Sequence, residues 1–333
     1  MSRVTIRDIA KLLEVSPSTV SRALKDHPDI GQTTKDKVKQ VADELGYFPN
    51  NQAVNFRQRK SKLFGLILPE LGRFFSPDMV RGIEEITRKK GYSLVIFQSN
   101  DSLEKEKECI TLCRSFGIDG LLVCLTRETK NIDHFQGFAK NDIPVIFVDK
   151  VIREKGSARV LINGYNAAFT AIQYLAKRNY QKIGGVFANK NLTITKRRKE
   201  GFKAALDKYE LSYKEHFCIH GSSIQEIKDH FLRLLKQTEK PDAIFTMTDE
   251  ILSAVIQIIH EEGLFIPNDI AVISISNGYL PYYINPKITF IKHSGYEVGK
   301  TAANLLVDLT ENPNMVLQRH IELETYLVEL DSC

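Results

Sequence analysis

The feature that most constrains the fold is a repeated alternation of short apolar runs and helical stretches from Leu63 onward. This alternation is typical of a parallel sheet covered by helices on both faces. Eight strands are predicted, at Leu63 to Leu68, Ser93 to Gln98, Gly120 to Leu125, Pro144 to Val148, Ala158 to Ile162, Lys182 to Phe187, Ala243 to Met247 and Ala271 to Ile275. Eight strands at this spacing predict two doubly wound lobes.

Charge divides the chain of 333 residues at about residue 62. Residues 1–62 hold 12 Lys and Arg against 7 Asp and Glu, which accounts for the whole formal charge of +5. A basic module joined to a neutral domain indicates a polyanionic partner, although a solvated basic tail would look the same. Because no apolar run is long enough to span a bilayer and the first residues are too polar for a signal peptide, we expect a cytoplasmic protein.

The first 45 residues carry the signals of a helix-turn-helix. Thr5 and Asp8 form a capping box, and Ser16 followed by Pro17 supplies an N-cap and a favourable first helical residue. The two residues between these helices allow only a tight turn. A third helix, from about Gln32 to Leu45, closes a small core with the inward residues Val20, Leu24, Ile6, Ile9, Ala10 and Leu13. The outward face of the second helix carries Ser16, Ser18, Ser21 and Arg22, which suit the major groove.

Three segments resemble the headpiece of the lac/galactose repressor family: Val4-Thr-Ile-Arg-Asp-Ile-Ala-Lys11, Val15-Ser-Pro-Ser-Thr-Val-Ser-Arg-Ala-Leu24 and Gly46-Tyr-Phe-Pro-Asn50. The order of the later segments resembles the core of that family, so the likeness covers essentially the whole chain. It implies an α/β fold with a three-helix headpiece and a two-lobed, periplasmic-binding-protein-like core. The implied protein is a transcriptional regulator, a repressor, controlled by a small molecule.

The resemblance implies a set of DNA-contacting residues. Pro17, Ser18 and Arg22 occupy base-reading positions, and Arg22 pairing with guanine is the natural contact. The supporting positions are Thr5, Ser16, Thr19, Ser21, Tyr47 and Asn50. Pro17 departs from the family by removing a hydrogen-bonding side chain. Glu14 departs in the turn, where Gly or Asn is usual and a left-handed backbone is expected.

Residues 49–61 resemble the hinge helix of the family, which orders on operator DNA and pairs with its dimer mate. Phe56 falls at the position of the apolar minor-groove wedge, and phenylalanine can serve in that role. Ala53 belongs to the same segment, and Arg57, Arg59 and Lys60 would lie against phosphates. A disordered basic linker is the alternative interpretation.

The expected ligand site lies beyond the carboxyl ends of the strands. The resemblance assigns an effector, usually a sugar or nucleobase, to this cleft, with Phe75, Asp149, Arg198 and Asp249 on matching positions. The Arg198 guanidinium would donate several hydrogen bonds to a hydroxyl or carboxylate group of the effector. The alternative is a salt bridge within its own lobe. Departures from the family are Ser276 and Asn163, where Asp is common, and Thr248, where Asn is common.

The effector class stays open between two hypotheses. A sugar or sugar derivative follows from the resemblance, but the chain has no tryptophan to stack on a sugar ring, leaving Phe74, Phe75, Tyr279, Tyr282 and Tyr283. An anionic effector, such as a sugar acid or phosphate, would suit the basic group Lys190, Lys196, Arg197, Arg198 and Lys199.

No catalytic, cofactor or metal motif stands out. The chain lacks a GxGxxG, P-loop or nucleophile-elbow pattern, so we predict neither an enzyme nor a cofactor. Cysteine and histidine occur close together at Cys109 and Cys113 and at His216, Cys218 and His220. Neither set has the CxxC pairs of structural zinc, so we predict no metal.

The predicted organisation is a headpiece over 1–48, a hinge over 49–61 and a core over 62–333. The N-lobe is predicted at about 62–161 plus 292–322, and the C-lobe at about 162–291 plus 323–333. A homodimer would bind a palindromic operator, with effector-driven lobe closure altering the spacing of the hinge helices. The alternatives are a DNA-binding regulator with a degenerate effector pocket and a solute-binding receptor.

Overall fold

Three helices form the described part of the N-terminal unit, which spans residues 1–61. The structure is a computed structural model, and it describes residues 4–48, 60–72, 74–149, 157–313 and 320–333. The helices of this unit are α1 Ile6–Leu12, α2 Pro17–Ala23 and α3 Gln32–Glu44.

Local signals place the first two helices where the sequence predicts them. The capping box of Thr5 and Asp8 is present, and the Ser16 side chain accepts a hydrogen bond from the backbone N–H of Thr19. Glu14 has a φ of 53°, so the left-handed turn residue is confirmed. The helix-turn-helix is confirmed, and α2 ends at Ala23.

A small apolar core holds the three helices together. Ile9, Val20, Ala23 and Val38 are fully buried, and each helix contributes at least one of them. The inward residues that the helical spacing predicts, among them Leu13 and Leu24, pack on this cluster. Burial therefore leaves the opposite face of α2 free for solvent or a ligand.

Residues 62–333 form the second unit, which contains two six-stranded sheets. The strands of the first sheet, here called the N-lobe, are β1 Leu63–Leu68, β2 Ser93–Gln98, β3 Gly120–Val123, β4 Val145–Val148, β5 Ala158–Ile162 and β11 His320–Leu323. Their order is β11-β5-β4-β3-β1-β2, and every pair is parallel.

The second sheet forms the C-lobe. Its strands are β6 Ile183–Phe187, β7 Cys218–His220, β8 Ala243–Thr246, β9 Ala271–Ser276, β10 Thr289–Lys292 and β12 Tyr326–Val328. Their order is β12-β10-β9-β8-β6-β7, and only the pair of β10 and β12 is antiparallel among the described strands. The chain passes between the lobes after β5, after β10 and after β11.

Helices cover both sheets. Those of the N-lobe are α4 Phe75–Lys89, α5 Leu103–Ser115, α6 Gln136–Ala139 and α12 Gly295–Glu311, with a 3₁₀ turn at Asp133–Phe135. Those of the C-lobe are α7 Gly164–Lys177, α8 Thr193–Lys208, α9 Ile224–Leu235, α10 Asp249–Glu261 and α11 Leu280–Tyr283, with a 3₁₀ turn at Glu215–Phe217. Helices α4 and α12 pack backbone to backbone, since a Cβ on Gly82 would lie 2.2 Å from the Tyr296 carbonyl oxygen.

The eight predicted strands are all present, but the count was too low. Four further strands, β7, β10, β11 and β12, have only three or four residues each. The predicted strands β3, β4 and β8 are equally short, but β7, β10 and β11 contain His, Lys or Glu and so lack the continuous apolar run that reveals a buried strand. The partner of β11 is also distant in the sequence, because His320 of β11 lies beside Arg159 of β5.

In the part of the chain that the structure describes, no helix is long and apolar enough to cross a membrane.

Candidate functional site

The exposed face of α2 carries the residues predicted to read DNA. Ser16, Pro17, Ser18 and Arg22 are exposed, while Thr19 and Ser21 are half-buried. Arg22 lies in the last turn of the helix. The guanidinium therefore extends from the solvent face of a helix, the geometry by which such a side chain reaches a base edge in the major groove.

Three hydroxyl groups are linked at the start of α2. The Ser16 Oγ lies 2.7 Å from the Ser18 Oγ and 2.8 Å from the Thr19 Oγ1, and it accepts the Thr19 backbone N–H at 3.1 Å. This network fixes the side chains in the orientation that the helix presents to solvent. Ser16 consequently has a structural function as a cap as well as a position suited to contact DNA.

Replacing Ser16 with alanine is expected to lower the free energy of unfolding of the N-terminal unit by about 1 kcal/mol, because the Thr19 N–H loses its acceptor. Hydrogen exchange of the α1 to α3 amides in the full chain measures this loss. The matched control is Ser18→Ala, which removes a neighbouring hydroxyl that caps no backbone group. Equal losses in the two variants would contradict the capping role.

The remaining predicted DNA contacts fall in two groups. Thr5 is exposed and donates to the Asp8 carboxylate through its backbone N–H at 2.8 Å and its hydroxyl at 2.7 Å. Tyr47 packs against the helical core. The other four residues lie outside the described part of the chain: Asn50, Ala53, Phe56 and Arg57.

The predicted effector residues lie where strands end in the second unit. Phe75 begins α4 after β1, Asp149 follows β4, and Ser276 ends β9. Thr248 and Asp249 join β8 to α10. Because these strands are parallel within each sheet, their carboxyl ends share one edge, which is where doubly wound sheets bind ligands.

Arg198 is the most buried cation of this region. The side chain is 3% exposed, its Nη1 donates to the backbone carbonyl oxygen of Met247, and its Nε has no hydrogen-bond partner. Burial lowers the pKa of Arg198 to about 10, opposed by the charges of Asp149, Glu250 and Asp249. The guanidinium therefore remains charged at neutral pH and keeps an unused donor.

Asp249 and Ser276 meet directly. The Ser276 hydroxyl donates to the Asp249 carboxylate at 2.5 Å, and the Asn277 backbone N–H donates to its second oxygen at 3.1 Å. Burial raises the pKa of Asp249 to about 6, although these two hydrogen bonds and Arg198 favour the ionised form. Asp249 can thus be an acceptor for a ligand or exchange a proton near neutral pH.

Sequence reasoning missed Asn277, which connects the two lobes. Its Nδ2 donates to the Phe74 carbonyl oxygen at 3.3 Å and to the Asp78 carboxylate at 2.5 Å, and its Oδ1 accepts the Gly295 N–H at 3.1 Å. Phe74 and Gly295 stand at the starts of α4 and α12 in the N-lobe, whereas Asn277 follows β9 in the C-lobe. The only sequence signal was its place directly after Ser276.

His293 was also missed. It lies in the second passage between the lobes, with its ring centroid 5.4 Å from that of Phe75. The residue is 8% exposed and its Nδ1 is buried without a hydrogen-bond partner. Burial, together with the positive charge of Arg198, lowers the pKa of His293 to about 3. A neutral imidazole next to an aromatic ring thus contributes an unused polar atom.

The basic side chains of α8 do not converge on one point. Arg197 pairs with Glu322 at 3.5 Å, and Lys199 pairs with Glu215 at 3.1 Å. Lys190 and Lys196 are exposed. Arg198 is the one member of this group that is buried beside Asp249. Within the described residues, no three metal-ligating side chains come together, and Cys109 and Cys113 are buried free thiols.

Comparison with known families decides the identity. A family model described as bacterial regulatory proteins, lacI family, matches residues 5–50, and a periplasmic binding protein-like domain matches residues 172–333. The first match falls on the helix-turn-helix, and the second covers most of the C-lobe together with α12 and β11 of the N-lobe. The chain carries a lacI-family DNA-binding domain and a periplasmic binding protein-like domain.

Relatives and solved structures of the lacI family match along nearly the whole chain. Catabolite control protein A of Priestia megaterium is 29% identical over 309 residues, or 91% of each chain. The lac repressor dimer bound to operator and an anti-inducer superposes with a TM-score of 0.87 at 20% identity, covering 99% of both chains. A cellobiose complex of the regulator CelR gives a TM-score of 0.74 at 21% identity, covering 99% of this chain and 100% of the other.

The three departures from the family pattern in the predicted effector cleft each satisfy a polar group of the protein. Thr248 accepts the Ile251 N–H at 3.3 Å and caps α10, and Asn163 accepts the Asn166 N–H at 3.0 Å and caps α7. Ser276 donates to Asp249, as described above. Each substituted side chain therefore satisfies a polar group of the protein itself, whereas the Arg198 Nε and the His293 Nδ1 have no hydrogen-bond partner within the protein.

Proposed function

We propose that this lacI-family regulator is a repressor that binds a palindromic operator as a homodimer and is controlled by an effector in the cleft between its lobes. The proposed base-reading residues are Pro17, Ser18 and Arg22. The proposed effector residues are Phe75, Asp149, Arg198, Thr248, Asp249 and Ser276, to which we add His293. Effector binding would shift the equilibrium between open and closed lobes by the difference in its affinity for the two forms.

The observation that carries the effector proposal is a pair of buried polar atoms without partners, the Arg198 Nε and the His293 Nδ1. Buried polar groups in folded proteins almost always have a hydrogen-bond partner, so each exception needs an explanation. A ligand that accepts from Arg198 and bonds to His293 would provide one. This favours a functional pocket over the alternative of a degenerate one.

A sugar or sugar derivative fits the chemistry of the proposed pocket. Hydroxyl groups can donate to Asp249 and accept from Arg198, and the ring of Phe75 offers an apolar surface. The binding of cellobiose by CelR is consistent with such a ligand. An anionic effector has less support, because Lys190 and Lys196 are exposed and Arg197 and Lys199 are paired with carboxylates.

Exposed apolar side chains of the N-lobe support the proposed homodimer. Leu112 is 46% exposed and Phe116 is 50% exposed at the end of α5, and the Phe116 ring lies 6.0 Å from Phe97 on β2. Strand β2 is an edge strand of its sheet. An exposed apolar patch beside an unpaired edge strand is unfavourable in a monomer, because it leaves apolar surface in contact with water. A twofold-related partner would cover this patch on both copies.

Selection of binding sites from a random duplex pool, at stated salt and with the full chain, tests the proposed function. Enrichment of a palindrome is the expected result. A thermal-shift screen with sugars, sugar acids and nucleosides then tests the cleft, since a ligand of the native state raises its apparent stability. A palindrome with no thermal response to any compound would favour the degenerate pocket, and enrichment of no sequence with or without these compounds would contradict the regulator.

A further inference from the structure

The second unit contains a contact that joins the lobes on the side of the cleft remote from the chain passages. The Arg127 Nη1 donates to the Ser222 carbonyl oxygen at 3.2 Å. Arg127 follows β3 in the N-lobe, and Ser222 follows β7, the edge strand of the C-lobe. We propose that this contact is a latch that holds the cleft closed and regulates effector access, an inference that rests on the proposed effector cleft.

Contacts within the N-lobe hold Arg127, the N-lobe half of the latch, in the orientation that contacts the C-lobe. Asp101 accepts the Arg127 Nε at 2.8 Å through one oxygen and the Arg127 backbone N–H at 3.1 Å through the other. The Asp101 side chain is 10% exposed, whereas that of Arg127 is 42% exposed. One carboxylate therefore fixes both the loop and the direction of the guanidinium.

A buried carboxylate stiffens the loop that carries Arg127. Glu106 on α5 is fully buried and accepts the Thr126 N–H at 2.9 Å and the Thr129 hydroxyl at 2.8 Å. The Glu106 Oε1, which accepts from Thr129, also lies 2.8 Å from the His134 Nε2. Because the residues on both sides of Arg127 are tied to Glu106, the loop projects the guanidinium as a rigid arm.

The C-lobe half of the latch is equally well held. The Ser222 N–H donates to Glu226 at 2.7 Å, and the Ser222 hydroxyl accepts the Asn189 Nδ2 at 3.0 Å. The next residue, Ser223, caps α9. Since both halves are ordered by their own lobes, closing the latch costs little additional conformational entropy.

The latch lies far from the chain passages between the lobes, where opening would separate the lobes most. The chain passes between lobes at β5, β10, β11 and β12, which lie toward one end of the two strand orders. The latch follows β3 and β7, with Asp101 after β2, toward the opposite end. Lobes that hinge at the passages must separate most at the far side, so a bond there opposes opening directly. An effector would reach the cleft while the latch is broken and would be retained once it re-forms.

Distances between spin labels on the two lobes test the latch without any ligand. The labels replace Lys105 on α5 and Gln225 on α9, both exposed, in a Cys218→Ser background because the other four cysteines are buried. Labelled chains are diluted into a large excess of unlabelled chain, so that only distances within one chain are recorded. Arg127→Gln is expected to raise the ratio of open to closed distances about five- to tenfold.

Two further variants make the result decisive. Asp101→Asn keeps Arg127 but weakens its anchor at a residue with a φ of 59°, which asparagine tolerates, and it is expected to shift the ratio in the same direction. Arg88→Gln removes an equal charge from a pair within α4 and should leave the ratio unchanged. If the distance distribution of Arg127→Gln superimposes on that of the parent, the latch proposal is wrong. If Arg127→Gln does not fold, the same comparison is made with Asp101→Asn, and superposition again contradicts the latch. If Arg127→Gln raises the ratio of open to closed distances but no compound raises the thermal stability of the protein, the latch is supported and the effector cleft is not.

Discussion

Replacing Arg22 with alanine is expected to weaken binding to the selected operator at least about tenfold while changing non-specific binding much less. A guanidinium that reads guanine bidentately contributes about 1–3 kcal/mol of discrimination at each half-site, and a palindromic operator bound by the proposed dimer has two half-sites. Arg22 is exposed in the last turn of α2 and is positioned for such a contact. Equilibrium binding of the full chain to the operator and to a scrambled duplex measures both affinities.

The matched control for this experiment is Lys25→Ala, which removes the same charge just beyond α2. A lysine that contacts phosphate should affect operator and scrambled duplex alike and should reduce the salt dependence of both. If Arg22→Ala also weakened both duplexes equally, its role would be electrostatic and the base-reading assignment would be wrong.

The free energy of unfolding is expected to fall by about 2 kcal/mol between pH 7.5 and pH 5 through His293 alone. Burial lowers the pKa of this side chain from its ordinary 6.5 to about 3. The unfolded chain therefore binds a proton below pH 6.5 while the folded chain does not, so stability present above pH 6.5 is lost progressively as the pH falls toward 3. Urea unfolding over this pH range measures the effect.

His293→Gln isolates this contribution, because the variant should lack the loss that the parent shows. Asp249 acts in the opposite direction, since its raised pKa makes the folded state bind a proton first and adds stability as the pH falls from about 6 toward 3.8. That effect is present in both proteins and cancels in their difference. His260→Gln, at an exposed position, is the control. Parallel profiles for the parent and His293→Gln would show that the imidazole is not held neutral.

The pH prediction also bears on the proposed pocket. An imidazole that remains neutral can donate or accept one hydrogen bond at its Nδ1, according to its tautomer, and adds no charge beside Arg198. The pocket can thus discriminate by hydrogen-bond geometry where a charged histidine would repel the guanidinium. The proposed polyhydroxyl effector would bond to both groups without burying a further charge.

The helix-turn-helix was predicted correctly because its determinants are local. A cap at Ser16 and a proline at the first helical position act within one turn, so the residues that specify α2 are neighbours in sequence. The strands of the two sheets were predicted for a similar reason, since runs such as Leu63–Leu68 are buried on both faces and read as continuous apolar segments. Strands β7, β10 and β11 escaped prediction because they contain polar residues and lack such a run, and β11 also pairs with β5, which is distant in the chain.

The cleft shows the limit of sequence reasoning. The sequence and its family resemblance determined which strand ends carry ligand-type residues, since strand order and chain direction place those ends together. Only the tertiary structure decided that Asn277 bonds to Asp78, that His293 is buried beside Phe75, and that Arg127 reaches Ser222. Burial and hydrogen-bond pairing depend on residues that are distant in the chain, as Phe75 and His293 are, and no local pattern records them. The sequence therefore determined the helix-turn-helix and the eight apolar strands, and packing determined which buried polar atoms have a hydrogen-bond partner within the protein.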